Sequence, residues 1–318
     1  MSGVDGSIGQ IPQNHFYALE VLRNTGTHEQ KKKLYTEVLQ GARFGNALAE
    51  FKTKNSAQKQ TAIKQTEHGF EVNGEKFYCT GSLFAQRIPT LVKDENAREF
   101  LAFIPRDSQG LELVDDWSGF GQRTTGSGTA KFNQVAVLAE DIIPFDSAFT
   151  EPTLVGPFAQ IMHAAIETGI ARAAFEETLV RVRQARPWID SGVETAVEDP
   201  LTRYELGRIV ADVRASEVLL KQAAHSIDAA RPHPTVENIA KASLDVAKVR
   251  AHSTETALKA SSKLIELAGS RGSQREDGLD RFWRNARVHT LHDASRWKYY
   301  FIANYVLNGI LPPRRGTL

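Results

Sequence analysis

The chain has 318 residues, a length that favours two domains, with one or three as alternatives. Apolar residues make up 41% and charged residues 24%, which excludes a wholly disordered chain. With 39 basic and 38 acidic residues, the formal net charge of +1 gives no overall basic excess for binding nucleic acid or an anionic membrane. Cys79 is the only cysteine, so neither an intrachain disulfide nor a multi-cysteine zinc or iron–sulfur site can form.

The beginning of the chain is polar and then becomes helical in pattern. Residues 1–10 lack the charged start and apolar core of a secretory signal, and no apolar run approaches the ~18 residues of a membrane-spanning helix. We therefore expect a cytoplasmic protein. Apolar residues at helical spacing between residues 12 and 22 place the start of the chain inside a helical region. Thr27 as a cap, with Gln30 three residues on, predicts a further helix over residues 27–39.

From about Thr61 the pattern changes to that of short strands. The pairs His68–Gly69 and Asn73–Gly74 are turn signals between the first of them. Five or more short strands without intervening helices predict an antiparallel sheet or barrel of about 90 residues and exclude a Rossmann unit. The predicted strands cover residues 62–66, 70–72, 76–80, 90–92, 100–104, 111–114 and 129–137.

After Pro157 the pattern is helical almost to the end of the chain. Thr235, which follows two prolines, predicts the cap of one long helix. Long helices joined by short breaks predict an antiparallel four-helix bundle. The predicted helices cover residues 158–183, 201–230, 236–268, 282–289 and 294–307.

The segment of residues 281–293 is the densest in chemically useful side chains, with His289 and His292 three residues apart. On a helix that spacing puts both imidazoles on one face. Three interpretations are open. The two histidines could bind a metal, or they could act in acid–base catalysis or hydrogen bonding near neutral pH. They could also be half-buried, packed against Trp283 and hydrogen-bonded to the backbone. The metal has weak support, because no His-Glu-x-x-His pattern is present, and without further context the packed pair is favoured.

Two further segments carry hydroxyl groups, and one of them is also rich in glycine. Residues 119–128 are rich in both and are compatible with a close approach to a phosphate, although a bulged turn between strands is the better interpretation of this segment alone. Residues 76–80 read as a strand with alternating faces, in which Thr80 can present a hydroxyl to a ring system. Cys79 on the other face reads as a small core residue, since no paired base makes it a nucleophile.

Together these pieces resemble the acyl-CoA dehydrogenase superfamily. The residues that carry the resemblance are the segments 44–50, 72–81 and 121–137, in this order and spacing. The resemblance implies an α+β multidomain fold that is mostly α. Its expected parts are the remainder of an N-terminal helical domain over residues 1–45, a middle antiparallel β-barrel domain over residues 46–150 and a C-terminal four-helix bundle over residues 151–318.

The stretch Leu291-His292-Asp293-Ala294 departs from the dehydrogenases, which commonly have a catalytic Glu-Gly here. Acyl-CoA dehydrogenation is therefore disfavoured, since removing an α-proton needs a base held at one geometry. Residues 281–293, 185–188 and 115–117 are instead similar to the flavin-dependent monooxygenase branch, that of dibenzothiophene monooxygenases and sulfur-acquisition oxidoreductases. That resemblance implies reduced FMN, with FAD as the alternative, and transfer of one oxygen atom from O2 to an organosulfur compound through a C4a-hydroperoxyflavin. It also implies a separate NAD(P)H-dependent flavin reductase and a homotetramer.

The resemblance implies roles for individual residues in catalysis. His292 and Thr80 would hydrogen-bond the peroxide or the flavin N5 edge. At the position of Thr80, the resemblance implies Ser in sulfoxidising relatives. His289 would lie near the substrate or support His292. Asn46 would contact the flavin or the oxygen site, and Trp117 would wall the ring and the substrate pocket.

The same resemblance implies a cofactor set. Arg186 and Arg271, from different subunits, would pair with the FMN phosphate, a bidentate task that suits arginine. Gly272 beside Arg271 belongs to this set, and Ser127 is a further candidate for the flavin edge. His15 would line the substrate pocket.

Two alternatives stay open at this point. One is a FAD-dependent acyl-CoA dehydrogenase or nitroalkane-type oxidase of the same fold, and the other is a flavin-free scaffold subunit. Relatives carry several more helices before the position of Met1, and these help to close the substrate pocket. We therefore expect faster wasteful release of peroxide from this chain than from a longer relative.

Overall fold

Residues 1–51, 60–67 and 69–317 are described by the computed structural model of the chain. They form two compact units. The helical unit contains residues 1–9, 119–122 and 156 onward, and the β unit contains residues 10–118 and 123–155. The three-part division at residues 45/46 and 150/151 stays a prediction. His68, expected in a turn, lies outside the described residues.

In the described residues before the strands, the helices are α1 (Gly6–Gln10), α2 (Gln13–Thr25) and α3 (His28–Leu39). The predicted cap of α3 is confirmed as a reciprocal pair of hydrogen bonds. The Gln30 N–H donates to Thr27 Oγ1 at 3.2 Å, and the Thr27 N–H donates to Gln30 Oε1 at 2.9 Å. Two of the orphan amides at this end are thereby satisfied.

Seven strands of the β unit form one sheet in the order β5-β6-β2-β1-β3-β4-β7. Neighbouring strands pair antiparallel except β1 and β3, which are parallel. Its buried face is apolar and includes Val72, Ile88 and Val135. The strands are β1 (Ala62–Thr66), β2 (Gly69–Lys76), β3 (Arg87–Lys93), β4 (Glu99–Pro105), β5 (Leu111–Val114), β6 (Thr129–Val137) and β7 (Ile142–Pro144).

The predicted turn at Asn73–Gly74 is wrong, because β2 continues through both residues. The pairing of β2 with β6 shifts register between Val72 and Gly74, so the irregularity is a β-bulge. The side chain of Asn73 accepts a hydrogen bond from the Gln134 N–H at 2.8 Å and so bridges the bulge. Gly74 has φ of 146° and its Cα lies against Thr61, a place where a side chain does not fit.

The helices after the sheet are α4 (Ser147–Thr150), α5 (Val155–Val182), α6 (Pro200–Ala230), α7 (Val236–Leu267), α8 (Asp280–His289) and α9 (Arg296–Asn308). All five predicted helices of this region are present, with shifted ends. Thr235 caps α7 as predicted, accepting from the Asn238 N–H at 3.2 Å. The core of the helical unit combines apolar side chains of α5, α6, α7 and α8. None of the helices described is long and apolar enough to cross a membrane.

Candidate functional site

A buried chain of hydroxyl groups, the hydroxyl cluster, lies in the β unit. Thr80 Oγ1 is 2.7 Å from Ser127 Oγ, and Thr125 Oγ1 is 2.6 Å from the same atom. All three side chains are buried. A hydroxyl can donate one hydrogen bond and accept two, so the cluster can rearrange its protons to suit a further polar group at Thr80.

The backbone after β2 creates this cluster. Tyr78 and Gly81 have φ of 58° and 76°, so the chain turns at the end of β2 instead of continuing as a strand. The Cys79 N–H then donates to the Gly128 carbonyl and the Gly81 N–H to the Thr125 carbonyl, both at 3.0 Å. This ladder places Thr80 beside Ser127.

The predicted strand over residues 76–80 is therefore wrong. Cys79 and the adjacent Thr80 are both buried while Tyr78 is 42% exposed, a pattern that strand alternation does not produce. The interpretation of Cys79 as a core residue is confirmed, since it is 1% exposed and belongs to the apolar core of the β unit. Burial raises the pKa of its thiol to about 12.

Asn46 is held rigidly in the β unit by three hydrogen bonds. Ser82 Oγ accepts from the Asn46 N–H at 2.9 Å and donates to its carbonyl at 2.8 Å, while Asn46 Nδ2 donates to the Tyr78 carbonyl at 3.0 Å. Asn46 Oδ1 is buried and has no hydrogen-bond partner among the described residues. An unsatisfied buried acceptor costs about 1–3 kcal/mol, so this atom is a candidate for contact with a ligand.

Trp117 and His15 belong to the same unit. Trp117 is half-buried, with its ring 6.1 Å from that of Tyr78 at an interplanar angle of 71°. His15 Nδ1 accepts from the Phe44 N–H at 3.0 Å, so the neutral ring carries its proton on Nε2. Burial, assisted by the charge of Arg43, lowers the pKa of His15.

The helical unit contains a second polar group, which we call the histidine network. His289 is its centre: Nε2 lies 3.1 Å from His163 Nδ1, and Nδ1 lies 3.0 Å from Glu167 Oε1. The ring of His292 lies against that of His163, with centroids 3.9 Å apart. The network consists of His163, Glu167, Arg250, His289, His292, Asp293 and Lys298.

His289 and His292 do not share a helical face, because α8 ends at His289 and His292 lies in the turn that follows. They meet instead through His163 of α5. The interpretation of the two histidines as a pair packed against Trp283 is also wrong. Trp283 stacks on Phe120 at 6.1 Å, and His289 is satisfied by side chains instead of the backbone.

Arg250 joins the two carboxylates of the network. Its guanidinium lies 2.5 Å from Glu167 Oε2 and 3.4 Å from Asp293 Oδ1, and its side chain is fully buried. Thr254 Oγ1 and Ser253 Oγ donate to Glu167 at 2.9 and 3.0 Å. Lys298, also buried, lies 3.2 Å from Asp293. Two cations thus balance two carboxylates where water is excluded.

Burial and charge set the protonation states of the network. Burial raises the pKa of Glu167, but Arg250 and His289 outweigh it, so its pKa lies below the usual value and the carboxyl is ionised at neutral pH. Burial lowers the pKa of His289, and burial with the neighbouring cations lowers that of His163 well below 6.5. Both rings are therefore neutral at pH 7.

The predicted cofactor residues Arg186 and Arg271 are exposed on the helical unit. Neither forms an ion pair in the part of the chain that the structure describes. Gly272 has a packing role of its own: a Cβ there would lie 2.8 Å from Ala268 Cβ and 2.9 Å from the Ile265 carbonyl. The glycine-rich residues 119–128 lie in the loop between β5 and β6.

Sequence reasoning missed Thr125, His163, Glu167 and Arg250. Three of these four are embedded in the long helices α5 and α7, where surface charge is the ordinary interpretation. One available signal was the spacing of His163 and Glu167, four residues apart within an otherwise apolar and small-residue stretch of α5.

Comparison with known proteins identifies the fold and its relatives. The family model Acyl-CoA dehydrogenase, C-terminal domain, matches residues 161–297. The dibenzothiophene monooxygenase of Mycolicibacterium goodii is 33% identical over 97% of this chain and 79% of its own length. "Probable FMNH2-dependent monooxygenase SfnC" of Pseudomonas putida is 28% identical over 97% of this chain and 79% of its own length.

A solved structure agrees with these relatives. FMN-bound TdsC from Paenibacillus sp. A11-2 superposes with a TM-score of 0.94 at 29% identity, covering 100% of this chain and 84% of that one. The acyl-CoA dehydrogenase-like fold and the resemblance to its monooxygenase branch are confirmed. The chain belongs to the dibenzothiophene monooxygenase family of flavin-dependent monooxygenases.

Proposed function

We propose that this chain uses reduced FMN and O2 to add one oxygen atom to an organosulfur compound, as a step in sulfur acquisition. The observation that carries the proposal is the 33% identity to a dibenzothiophene monooxygenase over almost the whole chain. The FMN-bound relative of the same fold and the FMNH2-dependent relative support the choice of flavin.

The residues of the β unit fit a flavin ring. Asn46 Oδ1 is a buried acceptor in need of a donor, and flavin has ring N–H groups. The hydroxyl cluster presents a group at Thr80 that either donates or accepts. Trp117 offers a half-buried aromatic surface. When bound, reduced FMN supplies the electrons that activate O2 for transfer of one oxygen atom.

The protein's own contribution is hydrogen bonding, charge and exclusion of water. Thr80 and Asn46 would orient the cofactor and hold a proton near it. His292 would hydrogen-bond the reacting group, and His289 would lie near the substrate or support His292. Arg186 and Arg271, exposed and without an ion pair among the described residues, are available to a phosphate group. His15 would line the substrate pocket.

Three further features belong to the proposal. A separate NAD(P)H-dependent reductase delivers the reduced flavin, and the location is the cytoplasm. The assembly is a homotetramer, in which the phosphate-binding arginines come from different subunits. The exposed apolar side chains of α9, among them Trp297 and Leu307, support self-association.

The test combines binding with isotope transfer. The purified chain is titrated anaerobically with reduced FMN and then mixed with ¹⁸O₂ and dibenzothiophene, with thioether, sulfone and sulfinate compounds as further substrates. We expect reduced FMN to bind, its reoxidation to be slower than in free solution, and a sulfur product that has gained one ¹⁸O atom.

The control is the same mixture with oxidised FMN and no reductant, which should give no labelled product. The proposal would be contradicted if the reduced flavin reoxidised at the rate of free flavin and none of the sulfur compounds gained ¹⁸O. Reduction of bound FAD by an acyl thioester without a reductase would favour the dehydrogenase alternative.

A further inference from the structure

Two residues of α5, His163 and Glu167, are not needed by the proposed roles of the histidines, yet they fix the geometry of the network. His163 is 1% exposed and Glu167 fully buried. Placing a carboxylate and an imidazole where water is excluded costs free energy unless their hydrogen bonds are complete. Each of the two residues forms a hydrogen bond with His289.

The hydrogen bonds allow only one arrangement of protons. An ionised carboxylate is an acceptor only, so His289 Nδ1 must carry the proton that Glu167 accepts. The neutral ring of His289 then has an unprotonated Nε2, which accepts from His163 Nδ1. His163 is left with an unprotonated Nε2. The carboxylate therefore sets the tautomer of two successive rings.

Arg250 fixes the carboxylate of Glu167, from which this chain of hydrogen bonds starts. It forms an ion pair with Glu167 Oε2 at 2.5 Å, and Thr254 and Ser253 donate to the same oxygen. Oε1 is thereby left for His289. Because Arg250 also lies 3.4 Å from Asp293, the positions of the two carboxylates are linked.

His163, at the far end of this hydrogen-bonded chain, packs against His292. The ring of His292 packs on that of His163 with centroids 3.9 Å apart, and its Nδ1 lies 3.7 Å from Asp293 Oδ2. The side chain of His292 is 45% exposed, whereas the side chains of His163 and Asp293, which it contacts, are buried. His292 is thus the member of the network that can meet a ligand, and buried groups define where its ring lies.

We infer that Glu167 and His163 are positioning residues for the oxygenation reaction: Glu167 fixes His289 and His163 as Nδ1–H tautomers, and the ring of His163 seats His292. The inference deepens the proposed function and rests on it for the reaction concerned. The two residues act through His289 and His292 and do not themselves contact the substrate.

The first experiment measures the tautomers directly, in the flavin-free chain labelled with ¹⁵N at the imidazole nitrogens. Nine histidines are present, and single His→Gln variants assign their signals. We expect His163 and His289 to be Nδ1–H tautomers at pH 7. His15 is an internal reference of opposite sense, because its Nδ1 accepts from a backbone N–H and its proton lies on Nε2.

The second experiment compares variants. Glu167→Gln is isosteric but can both donate and accept, so His289 is no longer limited to one tautomer, and its Nδ1–H signal and that of His163 should shift or broaden. His163→Phe leaves the buried charges balanced, keeps a ring against His292 and removes the hydrogen bond to His289. With reduced FMN and dibenzothiophene, we expect kcat of both variants to fall at least about tenfold with KM nearly unchanged.

The matched control is Glu176→Gln, which removes an exposed ion pair with Arg172 in the same helix and should alter neither tautomers nor kcat. An Nε2–H tautomer at His289 in the unchanged chain would overturn the inference, as would full kcat in His163→Phe. If the unchanged chain oxidises none of the sulfur compounds, the proposed function fails, and the tautomer measurement still decides whether Glu167 sets the two rings.

Discussion

The chemistry of the Thr80 hydroxyl depends on its immediate surroundings. It is buried, and its hydroxyl lies 2.7 Å from Ser127 Oγ. Its methyl group distinguishes it from serine. The hydroxyl and the methyl group can be separated by substitution.

Thr80→Val keeps the shape of the side chain and removes the hydroxyl. We expect the rate of product formation to fall about tenfold or more, because a preorganised hydrogen bond at a reacting group is lost. The ratio of product to released hydrogen peroxide should fall as well. Thr80→Ser, which retains the hydroxyl, should keep most of the rate, and an equally impaired Thr80→Ser would argue against the role of the hydroxyl.

Lys76 and Glu50 form a buried ion pair at the end of β2. The Lys76 Nζ lies 2.7 Å from Glu50 Oε1, and the lysine side chain is fully buried. The same carboxylate accepts hydrogen bonds from the Thr61 N–H and hydroxyl. Burial raises the pKa of Glu50, but Lys76 and the backbone donors outweigh it and lower its pKa to about 2.

Removing one partner of this pair should destabilise the β unit. Lys76→Met leaves a buried carboxylate without its cation, and we expect a loss of about 3 kcal/mol in the free energy of unfolding, measured by urea denaturation at pH 7. The exposed pair of Lys131 and Glu112 provides the control, and Lys131→Met should cost less than about 1 kcal/mol.

The lowered pKa of Glu50 also predicts an acid dependence. Its contribution to stability is fully present above the unfolded pKa of about 4.5 and is lost as pH falls toward about 2. Lys76→Met removes the cation that lowers this pKa, so the variant should lose less stability than the unchanged chain between these pH values. Parallel acid curves for the two proteins would contradict this assignment.

At the scale of elements, two glycines differ in the space available for a side chain. Gly121 lies against α8, where an added Cβ would stand 2.0 Å from the Arg284 carbonyl. That close approach lets the Arg284 side chain donate to the Phe120 carbonyl and Asn285 Oδ1 accept from the Gln122 N–H. Gly207 lies within α6, and an added Cβ would meet no atom within 4 Å.

These surroundings predict opposite effects of the same substitution. Gly121→Ala should lower the free energy of unfolding by about 2 kcal/mol or more, because backbone must shift to admit the methyl group. Gly207→Ala should raise it by about 0.5–1 kcal/mol through helix propensity. Urea denaturation of both variants tests the pair, and destabilisation by Gly207→Ala would show that the site is covered in the assembled protein.

At the scale of the whole molecule, α9 has an unusual surface. Of its residues only Lys298 is buried, while Trp297 and Tyr300 are more than half exposed and Val306 and Leu307 are 75% and 80% exposed. So many apolar side chains on one exposed helix are typical of an interface. This is the surface expected to be covered in the proposed homotetramer.

The corresponding prediction concerns assembly. Light scattering after size-exclusion chromatography should give the mass of four subunits for the unchanged chain. Leu307→Glu should give a smaller assembly, since a charge would be buried in the interface. Leu39→Glu, at an 87% exposed leucine of α3, is the control and should leave the mass unchanged. A monomeric unchanged chain would contradict the tetramer.

Local patterns predicted much of the fold because local interactions decide it. Thr27 and Thr235 cap helices as their neighbours suggested, since a cap depends only on residues within one turn. The bulge at Asn73–Gly74 was missed because the partner of Asn73 is Gln134, sixty-one residues away. The turn after β2 was missed because Tyr78 adopts a left-handed conformation that its residue type does not indicate.

The sequence by itself determined the fold class and the flavin monooxygenase family, and it marked Thr80, Ser127, His289 and His292 as candidate site residues, since these depend on residue order and local spacing. Only the tertiary structure decided what those side chains touch. Thr80 meets Ser127 across 47 residues, and His289 meets His163 and Glu167 across more than 120. Such contacts follow from how distant elements pack, and burial then shifts the pKa values of the groups that are brought together.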